Sequence, residues 1–273
     1  VGSKVKSLKV GDRVAIEPGT TFGKCEYCKT GRYNLCPEVK FFATPPVNGV
    51  LCEYVVVKEE CLFKIPDNMP YEVATLAEPL SVGVHASTKS QVKVGDTVLI
   101  LGLGPVGLLA ILAAKAFGAS KIIGVDIEPL RLQTAQKLGA DYVINAKEED
   151  PKSKILGFTN NTGPDVTFET AGSKVTNRLS FEVTKRGGKI VIIGLLSDDE
   201  VPLNINSIVD NEYTIFGIFR YANTYPKALE ILSKNLDKAS QLITHKFKLE
   251  QTLDAFEFAK ANKDKAIKVV IEI

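Results

Sequence analysis

The chain has 273 residues, 45% hydrophobic and 24% charged, which supplies core enough for one large or two ordinary domains. Lys plus Arg number 34 against 32 Asp plus Glu, a net charge of +2, and no long basic run occurs. That balance gives no reason to expect nucleic acid or an anionic membrane as the main partner.

The opening, VGSKVKSLKVGDRVAIEP, shows no signal-peptide pattern; it starts at Val1 inside a β-rich pattern, so a preceding segment is expected to be missing. Residues 1 to about 66 read as short strands and loops, with strand composition in DRVAIEP and CEYVVVK and a turn-rich ATPPVNGV between them. Cys25, Cys28 and Cys36 stand in C-x2-C-x7-C spacing, like part of a zinc loop, but a closed structural zinc site takes four ligands. The five cysteines are an odd number, which argues against a disulfide framework and for reduced thiols in the cytoplasm. YEVATLAEPLSVGVHAS (71–87) is helical in pattern, with Pro79 expected to separate two helices.

From Val94 apolar runs alternate with helical segments. Strands are expected at 97–101, 121–127, 142–146, 165–172, 189–195 and 213–219, with helices at 105–117, 129–138, 149–157 and 174–185 between them. Such βαβ units build a doubly wound α/β fold on a parallel sheet. The uncharged stretch 97–114 is long enough to raise a membrane span, yet Gly102, Gly104, Pro105 and Gly107 in its middle fit strand–turn–helix better. A tail of helix 225–235, strand 242–247, helix 249–261 and strand 267–273 is too short for its own domain. It is expected to return to the N-terminal part, giving boundaries of 1–87, 88–220 and 221–273.

LGLGPVG supplies Gly102, Gly104 and Gly107 as G-x-G-x-x-G after a strand and at the start of a helix, the context that makes the motif a dinucleotide fingerprint. Gly102 permits the turn, Gly104 admits a pyrophosphate, and Gly107 allows close helix–strand packing. The N-terminus of the following helix favours phosphate. Asp126, ending the next strand, can accept from a ribose diol and would repel a 2′-phosphate, which favours NAD over NADP; the nearby Arg131 weakens that preference.

The stretches VGDRVAIEPG, GRYNLCPEVKFFATPP, EPLSVGVHAS, LGLGPVGLLA, DIEPLRL and GIFRYANTYP together resemble the zinc-dependent medium-chain dehydrogenases, within them the sorbitol (L-iditol) 2-dehydrogenase group and its bacterial type. The resemblance implies a Rossmann domain inserted in a GroES-like, β-rich catalytic domain that is truncated at its N-terminus here. It also implies NAD- and zinc-dependent oxidation of a polyol at C2 to the ketose. Glu78 then matches an acidic residue beside the catalytic zinc, whereas from the residues alone it reads as a helix-start carboxylate. Arg220 and Tyr221 match residues that meet the polyol hydroxyls and the cofactor, and Phe41 an aromatic wall of the substrate pocket. Val106, Ile193, Gly194, Leu195, Ile218 and Phe219 match contacts to NAD. His85 and His245 read as structural. A homodimer or homotetramer, through the edge strand within 213–219, is the family habit.

Two departures accompany the resemblance. The family's Cys and His–Glu catalytic zinc ligands would precede Val1, since no His occurs before His85. Residues 1–273 alone are therefore expected to be inactive. The family's additional structural-zinc Cys corresponds to Phe22, and neither Cys52 nor Cys61 is expected to replace it. The alternative functions are a threonine or secondary-alcohol dehydrogenase, or a nucleotide-binding chain without turnover.

Overall fold

The computed structural model describes residues 1–196 and 200–273. The chain divides into two compact units, Val1–Ser81 with Arg220–Ile273, and the continuous stretch Val82–Phe219.

In the first unit β1 (Val14–Ile16), β2 (Gly19–Thr20), β3 (Lys40–Phe41) and β4 (Leu62–Lys64) are short; β1 pairs antiparallel with β4 and β2 with β3. Helix α1 (Glu26–Lys29) lies in the cysteine loop, and α2 (Tyr71–Ala74) precedes α3 (Ala77–Ser90). The helix break falls at Thr75–Leu76 and not at Pro79. Pro79 occupies the first turn of α3, where a missing N–H breaks no helical hydrogen bond. CEYVVVK forms no strand, although its composition suits one: Tyr54 and Val56 are 91% and 97% exposed. No strand among the described residues pairs with it, and β composition without a partner to take its backbone groups does not make a sheet.

The second unit is built on β5 (Thr97–Leu101), β6 (Lys121–Asp126), β7 (Tyr142–Asn145), β8 (Val166–Glu169), β9 (Lys189–Ile192) and β10 (Thr214–Gly217). They form one six-stranded parallel sheet in the order β10-β9-β8-β5-β6-β7. Helices α4 (Pro105–Ala116), α5 (Pro129–Leu138), α6 (Pro151–Phe158), α7 (Lys174–Val183) and α8 (Ile205–Asp210) connect them. Leu99, Leu101, Ile123, Val125, Ile144, Ile155 and Val183 form a buried cluster, each large aliphatic side chain contributing about 1.5–3 kcal/mol by leaving water. Helix α4 is buried over most of its length, in keeping with its apolar sequence, whose one charge is Lys115 in the last turn. A Cβ on Gly83 of α3 would lie 2.9 Å from the Ala110 Cα of α4, so only glycine lets these two helices approach this closely. Strand order reverses between β5 and β8, the switch point where doubly wound sheets open a crevice at their carboxyl ends.

The chain re-enters the first unit with α9 (Tyr225–Ser233), α10 (Leu236–Ser240), β11 (Ile243–Lys248), α11 (Thr252–Ala261) and β12 (Lys268–Glu272). β11 and β12 run parallel. Within this unit the return segment is tied to the early strands: the Tyr225 hydroxyl donates to the Ile16 carbonyl at 2.8 Å, and the Phe63 and Tyr225 rings stand 5.1 Å apart. Lys246 pairs with Glu72 at 2.9 Å.

Candidate active site

In the second unit the turn after β5 has the shape of a phosphate cradle. Gly102 has φ +93°, a conformation open to glycine, and a Cβ there would lie 2.8 Å from Ala171 N. A Cβ on Gly107 would sit 2.0 Å from the Gly102 carbonyl oxygen, whereas one on Gly104 would meet nothing within 4 Å. Two of the three glycines thus close the turn against its neighbours and the third faces open space. Gly104 caps α4 without a side-chain acceptor, leaving the helix's first N–H groups for a ligand. Thr170 locks the turn from the adjacent strand end, its hydroxyl donating to the Gly102 carbonyl at 2.6 Å.

Asp126, at the end of β6, is buried and its carboxylate is fixed by backbone donors. Oδ2 accepts from Leu103 N at 2.6 Å, and Oδ1 from Ile127 N at 2.7 Å and Glu128 N at 2.9 Å. Arg131 Nη1 is 3.7 Å from Oδ2. Val106 lies in the first turn of α4; Ile193, Gly194 and Leu195 follow β9, with Leu195 88% exposed; Ile218 and Phe219 follow β10, with Phe219 exposed. Glycine turn, open helix end and anchored acidic residue fit a dinucleotide.

In the first unit Phe41, Arg220 and Tyr221 line one small cleft, whereas Glu78 lines a different, larger cavity and is tied to that cleft through Tyr221. The Tyr221 hydroxyl donates to Glu78 Oε1 at 3.1 Å. Burial pushes the Glu78 carboxyl above the usual carboxylate range, against the opposing pull of the Tyr221 hydroxyl, and burial also raises the Tyr221 phenol. Glu78 lines a cavity of about 640 Å³ with Tyr71, Thr75, Tyr225 and the ends of β1 and β12. The Arg220 guanidinium lies 4.1 Å from the Phe41 ring centroid, a cation–π contact. Arg220 has φ +53°, a costly conformation for a residue with a Cβ, and persists because its surroundings hold it.

The cysteine loop brings Cys25, Cys28 and Cys36 together, their sulfur atoms all within 4.8 Å of one another. All five cysteines are free. Three thiolates supply three corners of a tetrahedral zinc site, and Phe22, 48% exposed, supplies none. Among the described residues this is the one group of three or more possible metal ligands, so no complete catalytic zinc site is assembled around Glu78.

Residues 1–67 match the family described as the alcohol dehydrogenase GroES-like domain, and residues 105–234 that described as zinc-binding dehydrogenase. The chain is 51% identical over 271 residues to the sorbitol dehydrogenase of Bacillus subtilis strain 168, covering 99% of this chain and 77% of that protein. The chain belongs to the zinc-dependent medium-chain dehydrogenases, in the sorbitol dehydrogenase group. Sorbitol dehydrogenase of Bos taurus is 41% identical over 276 residues, covering 100% of this chain and 76% of the relative. Among solved structures, an Escherichia coli oxidoreductase of unknown specificity superposes with a TM-score of 0.96 at 41% identity, covering 100% of this chain and 79% of that one. An E. coli dehydrogenase complexed with NADH superposes with a TM-score of 0.91 at 28% identity, covering 100% and 80%.

Two buried polar arrangements near the predicted site residues carried no mark in the sequence motifs. Tyr33 donates to buried Glu17 at 2.8 Å and accepts from Asn223 N at 2.8 Å, joining the cysteine loop to the segment after Tyr221. Glu169 is fully buried at the end of β8. A charge inside the apolar run DVTFETAG was its visible signal. His85 and His245 join no group of three potential ligands among the described residues, and His245 packs on the Phe258 ring at 4.3 Å between centroids.

Proposed function

We propose that this dehydrogenase oxidises a polyol of the sorbitol, L-iditol or xylitol type at C2 to the ketose, with NAD and zinc. The Tyr221–Glu78 hydrogen bond carries the reading: a buried carboxyl accepting from a buried phenol, which in turn lines a cleft with the cationic Arg220 and the Phe41 ring, suits a substrate rich in hydroxyls. The names of the sorbitol dehydrogenase relatives support it. When bound, NAD accepts the hydride and zinc acidifies the substrate hydroxyl.

The chain's own residues supply the rest. Glu78 Oε1 holds a proton position with Tyr221, Arg220 donates to substrate hydroxyls, and Phe41 excludes water from one side. Gly102, Gly104, Gly107, Val106, Asp126 and Arg131 bind the adenosine side of NAD, and Ile193, Gly194, Leu195, Ile218 and Phe219 line the remainder, with Arg220 reaching the cofactor. Cys25, Cys28 and Cys36 hold an incomplete structural zinc site. Residues 1–87 and 221–273 form the catalytic domain and 88–220 the nucleotide domain. The protein works in the cytoplasm, in keeping with its free thiols, and no helix among the described residues is long and apolar enough to cross a membrane. A homodimer or homotetramer through β10 fits the exposure of Ile215 on that edge strand.

Steady-state formation of NADH by the intact enzyme, measured over a panel of polyols, threonine and secondary alcohols with zinc supplied, tests the reading. Turnover confined to polyols supports it. Turnover confined to threonine or simple secondary alcohols would sink it.

A further inference from the structure

Glu169 sits where a covered parallel sheet ordinarily carries an apolar side chain. It ends β8 and is 0% exposed. Its Oε1 accepts from Ala171 N at 3.0 Å, Gly172 N at 2.9 Å and the Thr176 hydroxyl at 2.7 Å. Its Oε2 is buried without a hydrogen-bond partner among the described residues. An unpaired buried oxygen is costly, the more so on an ionised group.

Its surroundings are the cofactor-facing turns of the second half of the sheet. A Cβ on Gly194 would lie 3.0 Å from Glu169 Oε2 and 2.2 Å from Gly172 N. Ile193 N and Gly194 N both donate to the Glu169 carbonyl, at 2.8 and 3.0 Å. The carboxylate therefore lies directly against the turn after β9. In a doubly wound fold each half of the sheet takes one mononucleotide. The glycine turn after β5 and Asp126 after β6 belong to the half that takes the adenosine side. The half containing β8, β9 and β10 then takes the nicotinamide side. The oxidised nicotinamide ring carries a positive charge that the reduced ring lacks.

We propose that Glu169 discriminates the redox state of the cofactor, its buried carboxylate favouring the oxidised, cationic dinucleotide over the reduced one. The inference rests on the NAD-dependent reading above. Burial lifts the Glu169 carboxyl above the usual range, opposed by the hydrogen bonds from Thr176, Gly172 and Ala171. Beside it lie Leu101 of β5 and Ile192 of β9 in the sheet, Ser173 and Thr176 at the start of α7, and the two turns; the charged residue at that helix start, Lys174, is exposed. Arrival of a cation pulls the carboxyl toward its ionised form and releases a proton, whereas the reduced cofactor does neither. The preference for NAD+ over NADH accordingly rises with pH through the Glu169 titration.

The test is titration of the chain with NAD+ and with NADH between pH 5 and pH 9, by calorimetry and by NADH fluorescence, for wild type and Glu169→Gln. Each unit by which bound NAD+ lowers the carboxyl's pKa is a tenfold change in relative affinity. In wild type the affinity ratio rises with pH, with proton release on binding NAD+ alone. In Glu169→Gln the ratio falls about tenfold at high pH and becomes flat, while NADH affinity is retained. A ratio unchanged by the substitution overturns the proposal, and so does a pH-independent wild-type ratio, which needs no folded variant. Failure of wild type to bind either dinucleotide would instead remove the NAD reading beneath it.

Discussion

Tyr221 and Glu78 are joined across 143 residues of chain by a single 3.1 Å hydrogen bond, the phenol donating to Oε1. The bond opposes the upward push of burial on the Glu78 carboxyl. Tyr221→Phe removes the opposing interaction, so the carboxyl ionises at a higher pH still. The acid limb of the rate profile moves to higher pH, with a loss of stability of about 1 kcal/mol. Rates of the intact enzyme from pH 5 to pH 9, with denaturant melts, check both; an unmoved acid limb would detach Glu78 from the reaction.

The raised Glu78 carboxyl also sets a sign for stability. A folded-state pKa above the unfolded one contributes stability at low pH that is lost as pH rises through the folded value. Glu78→Gln keeps the shape and removes the ionisation, so its stability relative to wild type increases with pH. Turnover falls by roughly 10²-fold or more. Melting temperatures at pH 5 and pH 9 for the two proteins show whether the gap opens in that direction.

The three glycines of the nucleotide turn respond differently to one methyl group. Gly107→Ala places a Cβ 2.0 Å from a backbone oxygen, and the overpacking costs roughly 1–3 kcal/mol along with dinucleotide binding. Gly104→Ala meets nothing within 4 Å, so the fold is retained. Its methyl group occupies the space a pyrophosphate enters, and NAD affinity falls on the order of tenfold, ~1.4 kcal/mol. Thermal melts paired with NAD titration separate the two; equal melting losses would contradict the assignment.

Asp126 and Arg131 set the choice between dinucleotides. Asp126→Asn removes the charge that repels a 2′-phosphate and leaves Arg131 able to meet it. The NAD-to-NADP affinity ratio falls by about tenfold, ~1.4 kcal/mol. Because Asp126 also accepts three backbone N–H bonds, melting is followed alongside. An unchanged ratio in a stable variant would move the discrimination elsewhere.

Phe22 is 48% exposed, so replacing it removes little from the core. Phe22→Cys adds a fourth thiol in the loop that gathers Cys25, Cys28 and Cys36. Metal analysis after dialysis is expected to show one more zinc per chain than in wild type, with higher resistance to heat. Unchanged zinc content would mean that the loop no longer has tetrahedral geometry.

Legibility in the sequence followed periodicity and motif density. The six parallel strands were readable because each is an apolar run closed by a turn, and the glycine turn because its strand and helix flank it. CEYVVVK was misleading, since strand composition reports what a residue prefers and says nothing about whether a neighbour is present to pair with it. The break expected at Pro79 shifted to Thr75–Leu76 because proline disrupts a helix interior and is tolerated in a first turn. Tyr33 went unseen for another reason: its partners Glu17 and Asn223 come from other segments of the chain, and no local pattern encodes such meetings, whereas Glu169 did leave a signal, a charge inside an apolar strand. Phe41 beside Arg220 was reachable through resemblance alone, because an aromatic residue and an arginine so far apart in sequence carry no joint signal.

The Tyr225–Ile16 hydrogen bond spans 209 residues, and a whole parallel-sheet unit is encoded between its ends. During synthesis at about 5–20 residues per second, the strands of the first 81 residues emerge many seconds before the helix that caps them. Over that interval β1 and β4 lack the Tyr225 ring and hydroxyl that close one side of their antiparallel pair. The intervening unit, continuous and rich in local βαβ contacts, has all its own residues in hand first. Slowing translation within Val82–Phe219 therefore lengthens the exposure of the early strands to wrong partners, and the yield of native protein becomes a function of how quickly that middle stretch is made.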